Sequence, residues 1–421
     1  MYERNGVFKM NIKERFHEVM DNFNPSVKTL KWEFGYWGEA VDNWYDEGLP
    51  RNNYPQIQTS VTTPTSSLYV PCWASVKTGK LPAGIAVLGG GLYHPTQGFL
   101  QDIDVRETLN MDKGQVLVDV NLLFHPMFES KILEETERYF NYIDIDGVTR
   151  QFSKETAVIP VSTDYVIKDQ PSWEKLKRER LKMDNIKERF PDNWDQLLEQ
   201  YKKDDVIVTL GGYPHGYFGT LAHLMGYENL FINYYDKPDM IHDIQKTFTD
   251  LWIAVYEEVM SQIDVDLFII WEDMSAGTGS MVSPDTIKEF MSPYYKRLTG
   301  FLKEHGVNTI FIDTDGDCFD IIPLFMEAGI TGMYPIEVSC GMDLVKVRKT
   351  YPELRLMGGI PKSEILYGKE RIDQILEPVA EVLKTGGYVP FGDHLIPPSA
   401  HWENFKYYRL ALNKIIESYG K

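Results

Sequence analysis

The chain has 421 residues, 43% of them hydrophobic and 13% aromatic, with a formal net charge of −19. That composition supports a sizeable core and excludes the disordered class. The charge argues against a nucleic-acid backbone or an anionic membrane surface as partner, because both attract basic patches.

Taken in chain order, the N-terminal stretch "MYERNGVFKMNIKERF" carries no apolar signal region, so no secretory leader is expected. No run approaches the roughly 18 apolar residues that a transmembrane helix needs. "LKWEFGYWGEAVDNWYDEG" (30–48) reads as a strand followed by a helix. Residues 60–165 break that rhythm, and Asp146–Gly147 between alternating stretches is a hairpin signal. We read this region as an antiparallel β insertion. The charged, amphipathic segment 168–204 is expected to form surface helices. From residue 205 onward six strand–helix units follow one another. Ser283 and Pro284 predict the start of one helix that runs to Gly306. Alternation of this kind implies a parallel sheet covered by helices. Seven or eight units suit an α/β fold of the (β/α)8 TIM barrel type, with residues 1–421 forming one domain around the insertion. "GGG" at 89–91 sits outside any dinucleotide-binding pattern. Cys72, Cys318 and Cys340 are odd in number and widely spaced, so no disulfide framework is expected and a cytoplasmic address is simplest.

Active sites of such barrels lie at the C-terminal ends of the strands. Those ends carry Glu33, Tyr36 and Trp37, then Tyr213 and His215, then Trp271, Glu272 and Asp273. Asp313, Asp315 and Asp317 come next, followed by Glu337, Lys362, Asp393 and His394. The stretch "IFIDTDGDC" (310–318) ends an apolar strand in three carboxylates, which repel unless solvent, a cation or a shared proton intervenes. Asp317 reads as a cap of the following helix, whereas Asp313 and Asp315 lie on one side of extended chain and are candidates for a ligand or metal. His394 in "GDHLIPP" is the favoured imidazole, held by a Pro–Pro turn. Glu272 and Glu337 are candidate acid–base groups, and Lys362 is the cationic member of the rim. Glu33, Tyr36, Trp37, Tyr213, His215 and Trp271 are the expected substrate contacts. His17, His223, His242 and His305 fall in helical segments and read as surface or packing residues.

Several long motifs carry a family resemblance: "EFGYWGEAVDNWYDEGLP", "DGDCFDIIPLFMEAGITGMYPIEVSCGMDLVKVRKTYPELRLMGGIPK" and "DHLIPPSAHWENFKYY". The sequence resembles the uroporphyrinogen decarboxylase superfamily, in its branch near the corrinoid-dependent methyltransferases. The resemblance implies a (β/α)8 barrel and one of two chemistries. Decarboxylases of the family grip a polycarboxylate with arginines near the N-terminus, but "WEFGYWGEAVDNW" has none. Methyltransferases of the family bind zinc through His-x-Cys and a later Cys. Asp313, Asp315 and His394 stand nearest those positions, which implies Zn on harder ligands. The expectation is therefore metal-assisted methyl transfer from an oxygen- or nitrogen-linked small-molecule donor to cobalamin. No D-x-H-x-x-G motif is present, so the corrinoid is expected on a separate partner protein. The alternatives are a metal-free carboxy-lyase of the uroporphyrinogen decarboxylase type and a non-catalytic barrel binding a planar ligand. Oligomeric state is not legible in the residues; the resemblance implies a homodimer.

Overall fold

The computed structural model describes residues 10–52, 86–88, 92–93, 100–101, 103–153, 160–213 and 215–420. Its main sheet has eight strands: β1 (Leu92–Tyr93), β2 (Gln115–Leu117), β3 (Ile207–Gly211), β4 (Leu267–Trp271), β5 (Ile310–Asp313), β6 (Gly332–Ile336), β7 (Arg355–Ile360) and β8 (Tyr388–Gly392). They lie side by side in sequence order and every pairing is parallel. Each of the six units expected after residue 205 contributes one strand. Parallel strands need long return connections, and helices such as Pro238–Met260 and Lys369–Leu383 supply them, while Trp402–Ser418 follows the last strand.

The two faces of the strands bury different cores. Leu267, Ile269, Phe311, Met357 and Val389 point to an inner cluster. Phe268, Ile270, Ile310 and Ile312 point outward to the helices. This alternation is the period-two rule of extended chain. Phe16, Val19 and Met20 of the helix Ile12–Met20 join the inner cluster beside the strand starts Ile207 and Leu267. Burial of each such side chain contributes about 1.5–3 kcal/mol. The helix therefore plugs the end of the sheet opposite the candidate site.

Residues 29–35 run between the last strand and the approach to β2. Thr29 Oγ1 donates to the Tyr388 carbonyl at 2.7 Å, and the Ile396 amide to the Gly35 carbonyl at 2.9 Å. On the other side the Lys31 amide donates to the Asp112 carboxylate at 2.8 Å, and Trp32 Nε1 to the Lys113 carbonyl at 2.8 Å. The sheet is thereby curled with its edges tied together, a TIM-like arrangement.

The insertion contains a four-stranded antiparallel sheet, Lys131–Glu135, Tyr139–Ile143, Thr149–Ser153 and Val161–Asp164. Its central turn holds Gly147 at φ 80°, the left-handed conformation that the Asp–Gly pair suggests. Most of the expected insertion before residue 103 lies outside the described residues, as do Cys72 and the 89–91 glycines. Two helix expectations are corrected. The helix begun by Ser283 stops at Phe290 and restarts at Ser292, because Pro293 offers no amide to the preceding turn. Segment 168–204 forms Gln170–Arg180, a short 3-10 turn and Trp194–Lys203, yet Arg189 within it is fully buried and donates to the Leu123 carbonyl at 2.7 Å.

Candidate active site

At the C-terminal ends of the strands lies a cavity of about 400 Å³. The inner-facing parity of each strand decides what reaches it. Trp271 continues the row Leu267–Ile269, and Asp313 continues from Phe311, so both face the cavity. Trp37, Tyr213, Asp315 and His394 also line it.

Asp313 is half-buried on the cavity wall, and its Oδ2 accepts from Tyr334 Oη at 3.0 Å. Burial, then Asp315 and Asp273, push its carboxyl well above the usual range. Asp315 sits one residue before Gly316, whose φ is 82°. A Cβ at Gly316 would lie 2.6 Å from the Ser275 carbonyl carbon, so only glycine allows this loop to pass so close. Asp315 Oδ2 and His394 Nε2 are 3.4 Å apart. A charged pair would raise the imidazole and lower the carboxyl, but both move the other way. Burial, then Asp273 and Glu337, push Asp315 up to about 8. Burial, then the Lys362 ammonium, bring His394 down to about 4. Desolvation and the surrounding charges outweigh the pair's own attraction, so at neutral pH the pair holds one proton, on Asp315. The His394 ring stacks on Phe34 at 4.9 Å between centroids.

Glu337 and Lys362 lie behind this pair. Glu337 Oε2 accepts from the Gly316 amide at 2.8 Å, and its Oε1 is 3.5 Å from Lys362 Nζ. Burial raises the Glu337 carboxyl, but the Gly316 amide, Cys340 and Lys362 outweigh it and leave it lowered. The two residues therefore fix the Asp315 loop and set its field. Asp393 accepts from the amides of Ser339 and Lys362, both at 2.8 Å, tying two loops together. Asp317 accepts from the Phe319 amide at 3.1 Å, a local turn contact.

Four expected site residues stand elsewhere. Glu272 has the outward parity of Phe268 and Ile270. Its carboxylate accepts from the amides of Tyr217, Phe218 and Gly219 at 2.8, 2.6 and 3.0 Å, and from Tyr295 Oη at 2.5 Å. Burial lifts it to about 7 against those donors, but it anchors the start of a helix rather than facing the cavity. Glu33 is also fully buried and accepts from the Gly392 amide at 2.7 Å and Tyr408 Oη at 3.1 Å. Tyr36 packs edge-on to Trp44 and Phe405 in the outer core. His215 lies against Trp252 and Phe268, bonds Tyr256 Oη at 2.9 Å, and is pushed down to about 3 by burial. Gly211 and Gly212, at φ 84° and 74°, bend the chain after β3 and break the parity that would have turned His215 inward.

The cavity also holds Asp273, which the strand-end reading named without a role, and it recruits residues which that reading passed over: Phe34, Arg150 and His223. Asp273 has φ 49°, an unusual conformation for a residue with a side chain. Alternation along 267–273 is the signal that would have preferred Asp273 to Glu272. Arg150 arrives from the insertion and His223 from the helix Gly219–Met225. Neither carries a local signal, since only the docking of the insertion brings them to the mouth.

Zinc, implied by the resemblance, does not fit the side chains as placed. Among the described residues no three His, Cys, Asp or Glu side chains are grouped to hold a metal ion. Asp315 and His394 meet, while Asp313 is engaged by Tyr334.

Comparison with known proteins bears on the family. Among solved structures, a methyltransferase from Methanosarcina mazei matches with a TM-score of 0.55 and 14% identity, over 97% of this chain and 99% of that one. A B12-independent methionine synthase from a Shewanella species matches with a TM-score of 0.40 and 11% identity, over 75% and 84% of the respective chains. No curated protein matches the sequence. Among the described residues no helix is long and apolar enough to cross a membrane. A family model described as uroporphyrinogen decarboxylase (URO-D) matches residues 148–414, and the chain belongs to that family.

Proposed function

We propose that this protein, on a closed (β/α)8 barrel, moves a methyl group from an oxygen- or nitrogen-linked small-molecule donor to a corrinoid carried on a separate protein. The observation that carries the reading is the Asp315–His394 pair at the mouth of an aromatic cavity. When the carbon–oxygen or carbon–nitrogen bond breaks, its electrons stay on the heteroatom, which must be neutralised. Asp315 holds a proton at neutral pH and gives it to that atom. His394 is neutral, stacks on Phe34 and orients the carboxyl. Trp271 and Trp37 hold the donor and exclude water. A reduced corrinoid presented at this mouth by its carrier protein would supply the electron pair for the new bond to the methyl carbon. No step is routed through a metal, because the donor set does not fit one.

The carboxy-lyase alternative finds less support. Arg150 lines the cavity, but its guanidinium is held by Asp144 and Asp146 and cannot also grip a polycarboxylate. The test is incubation of the protein with chemically reduced cobalamin and a panel of O-methyl and N-methyl compounds. Formation of methylcobalamin from at least one donor is expected. Formation of coproporphyrinogen from uroporphyrinogen, with no methylcobalamin from any donor, would overturn the reading.

A further inference from the structure

The cavity wall sets aromatic rings beside carboxyls. Trp37, Tyr165, Tyr213, Tyr227 and Trp271 line it, as do Asp273, Asp313 and Asp315. The Trp271 ring is held in place. Tyr213 lies edge-on to it at 4.6 Å between centroids, and a Cβ at Gly219 would fall 2.6 Å from its ring carbon Cε3. Asp273 stands two residues after Trp271. Burial, and after it Asp273, raises the Tyr227 hydroxyl, so this carboxyl is near that ring as well.

Among the described residues, the basic groups at this wall are already matched by acids. Arg150 donates to Asp146 at 3.0 and 2.7 Å and to Asp144 at 3.2 Å. Asp146 also bonds His223 Nε2, and His223 Nδ1 lies 3.1 Å from Tyr213 Oη, so the insertion side forms one hydrogen-bonded chain. Lys362 Nζ lies 3.5 Å from Glu337, behind the cavity. Burial is the largest cause that lowers His223 and His394, and neither ring is charged at neutral pH. Asp273 accepts from the Asp315 amide and Asp313 from Tyr334 Oη, but neither meets a cationic side chain among the described residues. Burial first, then neighbouring carboxyls, raise both acids. A cation beside them acts in the opposite sense and restores their charge. The rings favour the same ligand property, since an aromatic face attracts a cation and does so more strongly where water is excluded.

We propose that the methyl donor is an organic cation, with its positive group apart from its methylated atom and seated among the Trp37, Tyr227 and Trp271 rings against the carboxylates of Asp273 and Asp313. The inference rests on the proposed function only in taking this cavity as the donor site. It adds the charge of the donor. Asp315 keeps its own part, because an ionised Asp273 favours the proton on it.

The test uses the purified full chain with benzylammonium, benzyl alcohol and benzoate, small aromatic probes that differ in charge. Calorimetry is run at about 0.15 M salt, where exposed charges are screened. Benzylammonium is expected to bind at a single site, about tenfold or more tightly than benzyl alcohol, with benzoate weakest. Asp273→Asn and Asp313→Asn should each reduce that preference about fivefold and leave benzyl alcohol binding unchanged. Equal affinity for the ammonium and the alcohol, tighter binding of benzoate, or no binding of benzylammonium overturns the proposal. An unchanged preference in both folded variants does so too. The wild-type comparison needs no substitution, so a variant that fails to fold leaves the test intact. Methylcobalamin formed from neutral donors alone overturns this inference and leaves the methyltransferase reading standing. A preference for benzylammonium with no methylcobalamin from any donor does the reverse.

Discussion

Replacing Glu272 by Gln tests whether this carboxylate is structural. Oε1 accepts from the Tyr217 amide and Tyr295 Oη, and Oε2 from the amides of Phe218 and Gly219. A glutamine turns one of those oxygens into an NH2 group, so two buried donors face a third donor. Each bond lost in this way costs about 1–2 kcal/mol, and the crowded donors add to it, for roughly 3–5 kcal/mol in all. At about 2.1 cal/mol/K per residue, 421 residues give an unfolding entropy of about 0.9 kcal/mol/K. Thermal unfolding followed by circular dichroism should therefore drop by about 3–5 °C. Tyr295→Phe removes one partner and should cost about 1 °C. The folded Glu272→Gln protein should keep most of its ligand binding, because its side chain lies outside the cavity. An unchanged melting temperature combined with abolished methyl transfer would refute the structural assignment and restore Glu272 as an acid–base group.

Asp315→Asn removes the proton donor while keeping the shape, and the rate of methyl transfer should fall by about 10²–10⁴-fold. In the wild type the same proton is present below and absent above about pH 8, so the rate should decline as pH rises through that value. A rate that instead climbs through pH 8 would contradict the acid role. The sign for stability agrees: the Asp315 carboxyl is raised in the fold, so its contribution is complete below the ordinary carboxyl range and is lost as pH approaches about 8. Metal analysis should find well under one zinc per chain, and stoichiometric zinc that disappears in Asp315→Ala would overturn the mismatch described for that ion. Gly216→Ala would place a Cβ 1.7 Å from the Trp271 carbonyl oxygen and 2.7 Å from its carbon. Backbone cannot yield that far, so this variant should express insolubly or melt many degrees lower, and a near-normal melting curve would disprove the close approach.

The order of the parallel strands was legible in the sequence, because each apolar run from Ile207 to Gly392 is punctuated by its own turn and helix. So was the family, since its motifs extend over most of the second half of the chain. Strand ends also pointed to Trp271, Asp313, Asp315 and His394, and these four line one cavity, because period-two geometry is local. What local geometry could not decide was which neighbour of each strand end turns inward. Glu272 and Asp273 are adjacent, yet one secures a helix and the other faces the cavity. Glu33 and Phe34 divide in the same way. The Asp146–His223–Tyr213 chain was least legible, for its members come from a hairpin turn, a helix and a strand end up to 77 residues apart. Sequence sets the faces of each element through short-range sterics. Only packing of the insertion against the barrel decides which faces meet, because that contact is stabilised by burial and charge between segments that share no local chain.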